Sequence, residues 1–349
     1  MNHPGRWWHL DDDHFSCDLC PRNCLLAPGQ RGFCFVRQAS DRGIDLVTYG
    51  RSSGFCLDPI EKKPLFHFLP GTPTLSFGTA GCNLGCTFCQ NWELSRAREA
   101  DALVESASPE AIARAALRAG ARSVAFTYND PVIFAEYAID VAEACHAVGL
   151  ATVAVTAGYI NPGAREALFG VMDAANVDLK GFTEDFYRRM CHGRLAPVKD
   201  TLRWLVHHRR TWVEITNLLI PGENDGDAEI DAMCHWIAVE LGPDVPLHFT
   251  AFHPDFRLDR PPTPLATLRR ARMHALAAGL HYVYIGNVRD AEGQSTRCTA
   301  CGEVLVARDG YEIVRWRVVD GRCACGARLP GRYEATHGTW GSRRMPVRI

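Results

Sequence analysis

Short β-prone segments alternate with helical segments between residues 71 and 287, and this pattern limits the choice of fold more than any other feature of the chain. The predicted strands are 75–78, 123–127, 152–156, 175–179, 213–219, 246–250 and 282–285. The predicted helices are 109–119, 132–148, 163–169, 198–208, 228–240 and 265–278. Such alternation indicates β–α crossovers and a mainly parallel sheet, and right-handed crossovers would close that sheet wholly or partly into a barrel. We therefore predict an α/β barrel.

The segment GTAGCNLGCTFCQNW directly follows the first predicted strand and holds Cys82, Cys86 and Cys89 in the spacing C-x3-C-x2-C. Gly81 and Gly85 precede two of these cysteines and permit the tight backbone wrap that three converging thiolates require. A [4Fe-4S] cluster held by three thiolates keeps one iron without a protein ligand, and a substrate or cofactor can bind at that iron. The alternative is a structural zinc loop or a chance group of buried cysteines.

Polar residues follow the next three predicted strands, where a parallel barrel collects its working residues at one mouth. The candidates for binding a cofactor are Asn129, Asp130, Thr156, Asp178 and Lys180. Each has a structural alternative: Asp130 before Pro131 is a good N-cap pair for the following helix, Thr156 suits a plain turn, and Asp178 with Lys180 suits a buried ion pair. Glu214, Thr216 and Asn287 are further candidates for the mouth.

Two more groups of cysteines flank the predicted barrel. Cys17, Cys20, Cys24 and Cys34 have the spacing C-x2-C-x3-C-x9-C, which would suit a tetrahedral zinc ion or an auxiliary iron–sulfur cluster, or simply a buried loop. Cys298, Cys301, Cys323 and Cys325 flank two β-like stretches in the layout of a zinc ribbon, so we predict zinc there. The remaining Cys56, Cys145, Cys191 and Cys234 are expected in the core. The predicted domains are a cysteine-rich segment 1–70, a barrel 71–290 and a zinc-ribbon-like domain 291–349.

Composition limits the location and the partners of the protein. With 38 basic and 40 acidic residues the net charge is −2, which provides no long-range attraction to nucleic acid or an anionic membrane. The start MNHPGRWWHLDDDH lacks the apolar region of an export signal, and no apolar run is long enough to span a bilayer. We predict a cytoplasmic protein, in which the eleven grouped cysteines among the fifteen serve as metal ligands rather than disulfides.

Five motifs, DPIEKKPLFHFLPG, GCNLGCTFCQNW, YNDP, DLK and LLIPGEND, resemble those of the radical S-adenosylmethionine (SAM) enzyme of the AmmeMemoRadiSam system, a branch related to the pyruvate formate-lyase activating enzymes. The resemblance covers nearly the entire chain. It implies a partial TIM-like (βα)6 barrel, a [4Fe-4S] cluster on Cys82, Cys86 and Cys89, and SAM on the open iron. It further implies reductive cleavage of SAM to a 5'-deoxyadenosyl radical, a reductant such as flavodoxin or ferredoxin, and AmmeMemoRadiSam partner proteins. YNDP stands where the superfamily typically has Gly-Gly-Glu-Pro, and its Asp is one methylene shorter than Glu.

The resemblance leaves the substrate open. The radical could act on a small molecule or peptide, or on a glycine of a partner protein if the chain is a glycyl-radical-enzyme activase. A hypothesis of a different class is a zinc-dependent nucleic-acid or protein-binding module with a degenerate barrel.

Overall fold

A curved sheet organises the protein. Within the residues that the computed structural model describes, 3–97, 103, 105–208 and 211–349, this sheet has nine strands, of which seven are parallel and follow one another in chain order. The parallel strands are β9 (Pro73–Phe77), β11 (Ser123–Phe126), β12 (Ala151–Thr156), β13 (Ala174–Asp178), β14 (Trp212–Leu219), β15 (Leu247–Ala251) and β16 (Val283–Gly286). The predicted α/β fold is confirmed, and the predicted strands lie within two residues of the observed ones.

The parallel strands are buried along most of their length, because helices cover one face and the barrel interior covers the other. In β11 all four residues are buried, as are all five in β15. The helices are α1 (Trp92–Ser95), α2 (Pro109–Arg118), α3 (Ala135–Ala147), α4 (Pro162–Phe169), α5 (Glu184–Phe186), α6 (Leu195–His208), α7 (Asp227–Trp236) and α8 (Leu265–Ala277). Each predicted helix is therefore present.

Two helices differ from the prediction at their ends. The predicted helix 132–148 starts with a separate 3-10 turn, Pro131–Phe134, before α3. The predicted helix 228–240 changes after Trp236 into a π-helical turn, Ile237–Leu241, which stops at Gly242. Gly242 has φ +99°, a backbone conformation that glycine adopts without steric cost. Further short helical turns are Ile60–Lys62 and Tyr187–Cys191.

Small antiparallel sheets form the two ends of the chain. The N-terminal strands are β1 (His3–Pro4), β2 (Trp8–Asp11), β3 (His14–Cys17), β4 (Leu25–Leu26), β5 (Arg37–Ser40), β6 (Gly43–Leu46) and β7 (Arg51–Ser52), of which β7 pairs with β10 (Glu105–Ser106). The C-terminal sheet contains β17 (Thr296–Arg297), β18 (Val304–Asp309) and β19 (Glu312–Trp316). The two stretches predicted for the zinc ribbon correspond to β18 and β19.

Both ends of the chain also contribute to the main sheet. Strand β8 (Phe55–Pro59) pairs antiparallel with β9, and β20 (Met345–Val347) pairs antiparallel with β8 at the sheet edge. The sequence analysis predicted neither strand, because the pairing joins segments almost 300 residues apart. The domain boundaries 1–70, 71–290 and 291–349 stay predictions. Among the described residues, no helix is long and apolar enough to cross a membrane.

Candidate active site

A cavity of about 280 Å³ opens at the C-terminal ends of the parallel strands. The three cysteines of the C-x3-C-x2-C loop and all five predicted cofactor-binding residues line it: Cys82, Cys86, Cys89, Asn129, Asp130, Thr156, Asp178 and Lys180. Of the further candidates, Thr216 and Asn287 line the same cavity. Glu214 does not line the cavity; it lies nearer the N-terminal end of β14, where its carboxylate accepts hydrogen bonds from the backbone N–H groups of Phe66 and His67. The parallel sheet therefore brings together residues from five successive strand ends.

In the cysteine loop, residues 78–91, the backbone at position 81 accommodates only glycine. Gly81 has φ +82°, and a Cβ atom there would lie 1.9 Å from the carbonyl oxygen of Cys34. Its N–H donates to the carbonyl of Leu94, at 3.0 Å. At Gly85 the N–H donates to the carbonyl of Cys191, at 2.8 Å. The loop is thus held by α1 on one side and by the π-helical turn that ends at Cys191 on the other.

Asn129 fastens this loop to the end of β11. Its Oδ1 accepts from the Thr79 N–H at 3.1 Å, and its Nδ2 donates to the carbonyls of Ala80 at 3.2 Å and Gly81 at 3.0 Å. The side chain is buried, with 6% of its residue surface exposed. The Asn129 amide thus hydrogen-bonds to the backbone just before Cys82, and we assign it the role of positioning the cysteine loop.

The Asp130 carboxylate joins the ends of β11 and β12 rather than projecting freely. Its carboxylate accepts hydrogen bonds from the Thr156 hydroxyl at 2.8 Å, the Ala157 N–H at 2.8 Å and the Val132 N–H at 3.1 Å. The bond from Val132 is the N-cap that the Asp130–Pro131 sequence predicts. Burial raises the pKa of the Asp130 carboxyl, although these three donors oppose the change. A hydrogen bond therefore holds Asp130 and Thr156 together at the cavity wall.

Asp178 and Lys180 form an ion pair at the cavity wall, with Lys180 Nζ 2.9 Å from Asp178 Oδ2. The side chains are 34% and 17% exposed, so the pair is accessible from the cavity. Burial alone would lower the pKa of Lys180, but Asp178 and the thiols of Cys86 and Cys191 hold it well above its ordinary value. The site therefore contains a permanent cation beside the cysteine loop.

Cys191 is a residue of the site that the sequence analysis assigned only to the core. It is fully buried, and its carbonyl accepts the Gly85 N–H at 2.8 Å, which places it beside Cys86. Interaction with the Cys191 thiol lowers the pKa of Cys86, with help from Lys180 and against the effect of burial. No motif could have identified Cys191, because only the fold brings the turn after α5 against the cysteine loop.

The C-terminal cysteines form a compact group. The Sγ atoms of Cys298 and Cys325 are 3.6 Å apart, as are those of Cys301 and Cys323, and all four sulfurs lie within 4.8 Å of one another. Metal–sulfur bonds of about 2.3 Å in a tetrahedron place the sulfurs about 3.8 Å apart, so the group has the size of a single-ion site. The C-x-C pair, although shorter than the usual C-x2-C, supplies both of its ligands.

The N-terminal cysteines lie next to the cysteine loop. Cys17, Cys20 and Cys34 are buried, and Cys24 is partly exposed. The side chain of Arg22, between Cys20 and Cys24, donates from Nε to the carbonyl of Asn83 at 2.9 Å. The predicted core positions of Cys145 and Cys234 are buried as well, whereas Cys56 is partly exposed.

Comparison with known proteins identifies the family. The model of the radical SAM superfamily matches residues 77–234, from the end of β9 into α7. An uncharacterized protein from Methanocaldococcus jannaschii is 40% identical over 324 residues, which cover 92% of this chain and 96% of that protein. A solved domain of pyruvate-formate lyase-activating enzyme from Bacteroides vulgatus is 17% identical and covers 47% of this chain and 99% of that one, with a TM-score of 0.42. A radical SAM methyltransferase from Sphaerobacter thermophilus is 17% identical and covers 63% of this chain and 67% of that one, with a TM-score of 0.47.

A radical SAM domain implies a [4Fe-4S] cluster and SAM, and the residues present fit both. Among the described residues, Cys82, Cys86 and Cys89 do not come within 4.8 Å of one another as a group, unlike the C-terminal cysteines. A single zinc ion would need that closeness, whereas in a cluster each thiolate binds a different iron and the sulfurs stand farther apart. The adjoining cavity offers a cation and an anion for a zwitterionic cofactor. From the cysteine loop, its place after the first parallel strand and the match over residues 77–234, we conclude that this chain belongs to the radical SAM superfamily.

Proposed function

We propose that the protein is a radical SAM enzyme whose Cys82, Cys86 and Cys89 hold the [4Fe-4S] cluster. When bound, the cluster supplies one electron that cleaves SAM to methionine and a 5'-deoxyadenosyl radical, which abstracts hydrogen from the substrate. The observation that carries the proposal is the convergence of three cysteines and five polar residues on one cavity. The protein's own residues supply position, charge and exclusion of water, as is general for cofactor enzymes.

Lys180 and Asp178 are the residues we assign to the charged part of SAM. The ammonium of Lys180 can donate charge-assisted hydrogen bonds to a carboxylate, and Asp178 can accept from an ammonium or a ribose hydroxyl. Both are partly exposed to the cavity, so binding does not require breaking the core. Asp130 and Thr156 support this wall, since they already bond to each other and to the strand ends.

The substrate is proposed to enter from a second cavity of about 310 Å³. It shares Lys62, Pro64, Thr250 and Asn287 with the first cavity, so the two are neighbours at one mouth. The exposed Arg289 and the partly exposed Tyr311 complete its outer wall. A small molecule or one side chain of a peptide or protein would fit this volume. An AmmeMemoRadiSam partner protein and a flavodoxin or ferredoxin reductant are proposed from the resemblance alone.

The test is the formation of 5'-deoxyadenosine by anaerobically reconstituted protein with SAM and dithionite. We expect product from the wild type, none from Cys86→Ala, and wild-type amounts from the control Cys145→Ala, since Cys145 is buried in α3 and does not line the cavity. Undiminished product from Cys86→Ala would overturn the proposal. Addition of candidate partners then distinguishes the substrates, because a glycyl radical detected by electron paramagnetic resonance identifies an activase.

For the C-terminal cysteines we propose zinc. The 3.6 Å separations of their sulfurs agree with one tetrahedral ion. Metal analysis of protein purified without air should find zinc together with about four or more irons per chain. Zinc without iron would instead favour the binding-module hypothesis.

A further inference from the structure

The four N-terminal cysteines are brought together on two facing turns. The N–H of Cys17 donates to the carbonyl of Cys24 at 2.9 Å, which closes the first turn around Cys20. The second turn, which carries Cys34, approaches through Gly32, where a Cβ atom would lie 3.6 Å from the sulfur of Cys24.

The separation of the sulfurs discriminates between zinc and a cluster. Across the described part of the chain, three or more ligand atoms come within 4.8 Å of one another at the C-terminal cysteines, and no such group includes Cys17, Cys20, Cys24 or Cys34. A single tetrahedral ion would require sulfurs about 3.8 Å apart. The N-terminal group therefore lacks the close spacing that a single ion requires, and so does the group Cys82, Cys86 and Cys89, for which the family implies a [4Fe-4S] cluster.

We propose that Cys17, Cys20, Cys24 and Cys34 hold a second [4Fe-4S] cluster, adjacent to the first. Four protein ligands leave no iron open for SAM, so the chemistry of this second cluster is one-electron transfer. It would accept one electron from a low-potential donor of the flavodoxin or ferredoxin class and pass that electron to the adjacent cluster on Cys82, Cys86 and Cys89, with no bond made or broken. The metal content of the site does not rest on the proposed SAM cleavage.

Direct packing between the two cysteine loops supports their adjacency. A Cβ atom at Gly81 would lie 1.9 Å from the Cys34 carbonyl oxygen and 3.2 Å from Val36 Cγ1, so the backbones are in van der Waals contact just before Cys82. The hydrogen bond from Arg22 to Asn83 joins the loops a second time. Arg37, 2% exposed, holds the cysteine-rich segment to the barrel through its ion pair with Glu136.

The test is the iron and zinc content of anaerobically reconstituted protein. We expect about eight irons and one zinc per chain in the wild type. The triple variant Cys82→Ala, Cys86→Ala, Cys89→Ala should keep about four irons and one zinc. The double variant Cys17→Ser, Cys20→Ser should lose about four irons and keep its zinc. A triple variant with no iron and about two zincs would overturn the proposal, as would a wild type with only about four irons.

Two further measurements keep the test decisive. If the triple variant does not fold, the ratio of iron to zinc in the wild type alone separates the outcomes, because zinc at the N-terminal site gives about 4:2 instead of about 8:1. Adjacency is tested by electron paramagnetic resonance of the fully reduced protein. The wild-type spectrum should show splitting or broadening that is absent from the sum of the spectra of the two variants, and a simple sum would refute contact between the clusters. Because neither measurement uses SAM, failure of the proposed enzyme activity would not be mistaken for failure of this proposal.

Discussion

Replacing Asn129 by alanine would release the cysteine loop, and the cost can be worked out from its hydrogen bonds. The substitution leaves the Thr79 N–H and the carbonyls of Ala80 and Gly81 without their partner in a buried place. A buried backbone group without a partner costs about 1–3 kcal/mol. Since a water molecule can enter the space left by the side chain, we take the low end for each of the three groups and expect a loss of roughly 3 kcal/mol.

The measurement is the melting temperature of the cluster-loaded protein, by calorimetry without air, together with the rate at which a chelator removes iron. A loss of about 3 kcal/mol corresponds to a decrease of roughly 4 °C for a chain of this size, and iron should leave faster. Asn91→Ala is the matched control, since this amide lies in the same loop, is exposed and caps no backbone group.

Asn129→Asp separates hydrogen bonding from packing. The variant preserves the shape of the side chain and can still accept from Thr79, but its carboxylate faces two carbonyl oxygens with no proton to donate. We expect it to be at least as destabilised as Asn129→Ala. A melting temperature within about 1 °C of the wild type for either variant, with unchanged iron release, would refute the anchoring role.

Three other outcomes are expected. Burial raises the pKa of Glu61 from 4.5 to about 7, so the stabilising effect of its proton is complete below pH 4.5 and is lost as the pH rises to 7. The difference in unfolding free energy between the wild type and Glu61→Gln, measured in urea, should therefore change by about 3 kcal/mol between pH 4.5 and pH 7. A difference that does not change with pH would contradict this. Glu136→Gln leaves the buried Arg37 charge unpaired and should cost about 3–5 kcal/mol in urea unfolding, whereas a change below about 1 kcal/mol would show the pair to be dispensable. Lys180→Met should weaken SAM binding about 10–100-fold by calorimetric titration, and Lys180→Arg should restore most of it; equal binding by both variants would exclude a charge contact.

Much of the fold could be predicted because the barrel has a local periodicity. Each parallel strand is a short apolar run, and each helix repeats its apolar residues at helical spacing, so neighbouring residues carry the signal. Strands β8 and β20 carry little such signal, since they are short and contain proline, and β20 depends on pairing with β8 across almost the whole chain. Their presence could only be found from the folded sheet.

The candidate site likewise combines features that the sequence predicts with features that only the folded structure reveals. The positions of Asn129, Asp130 and Thr156 at one mouth follow from parallel strands, but the direction of their side-chain hydrogen bonds does not. The fold turns the Asn129 amide toward the cysteine loop and ties Asp130 to Thr156. It also places Cys191 against Cys86, although no spacing in the sequence connects them.

The sequence by itself determined which residues can bind metal and in what order the barrel is built, because thiol chemistry and the alternation of strands and helices are local properties of a chain. The tertiary structure alone decided how far apart the sulfurs of each group stand, and it brings the four C-terminal sulfurs within 4.8 Å of one another. Those distances depend on contacts between segments remote in sequence, such as Cys34 against Gly81, and on the free energy of packing the whole chain.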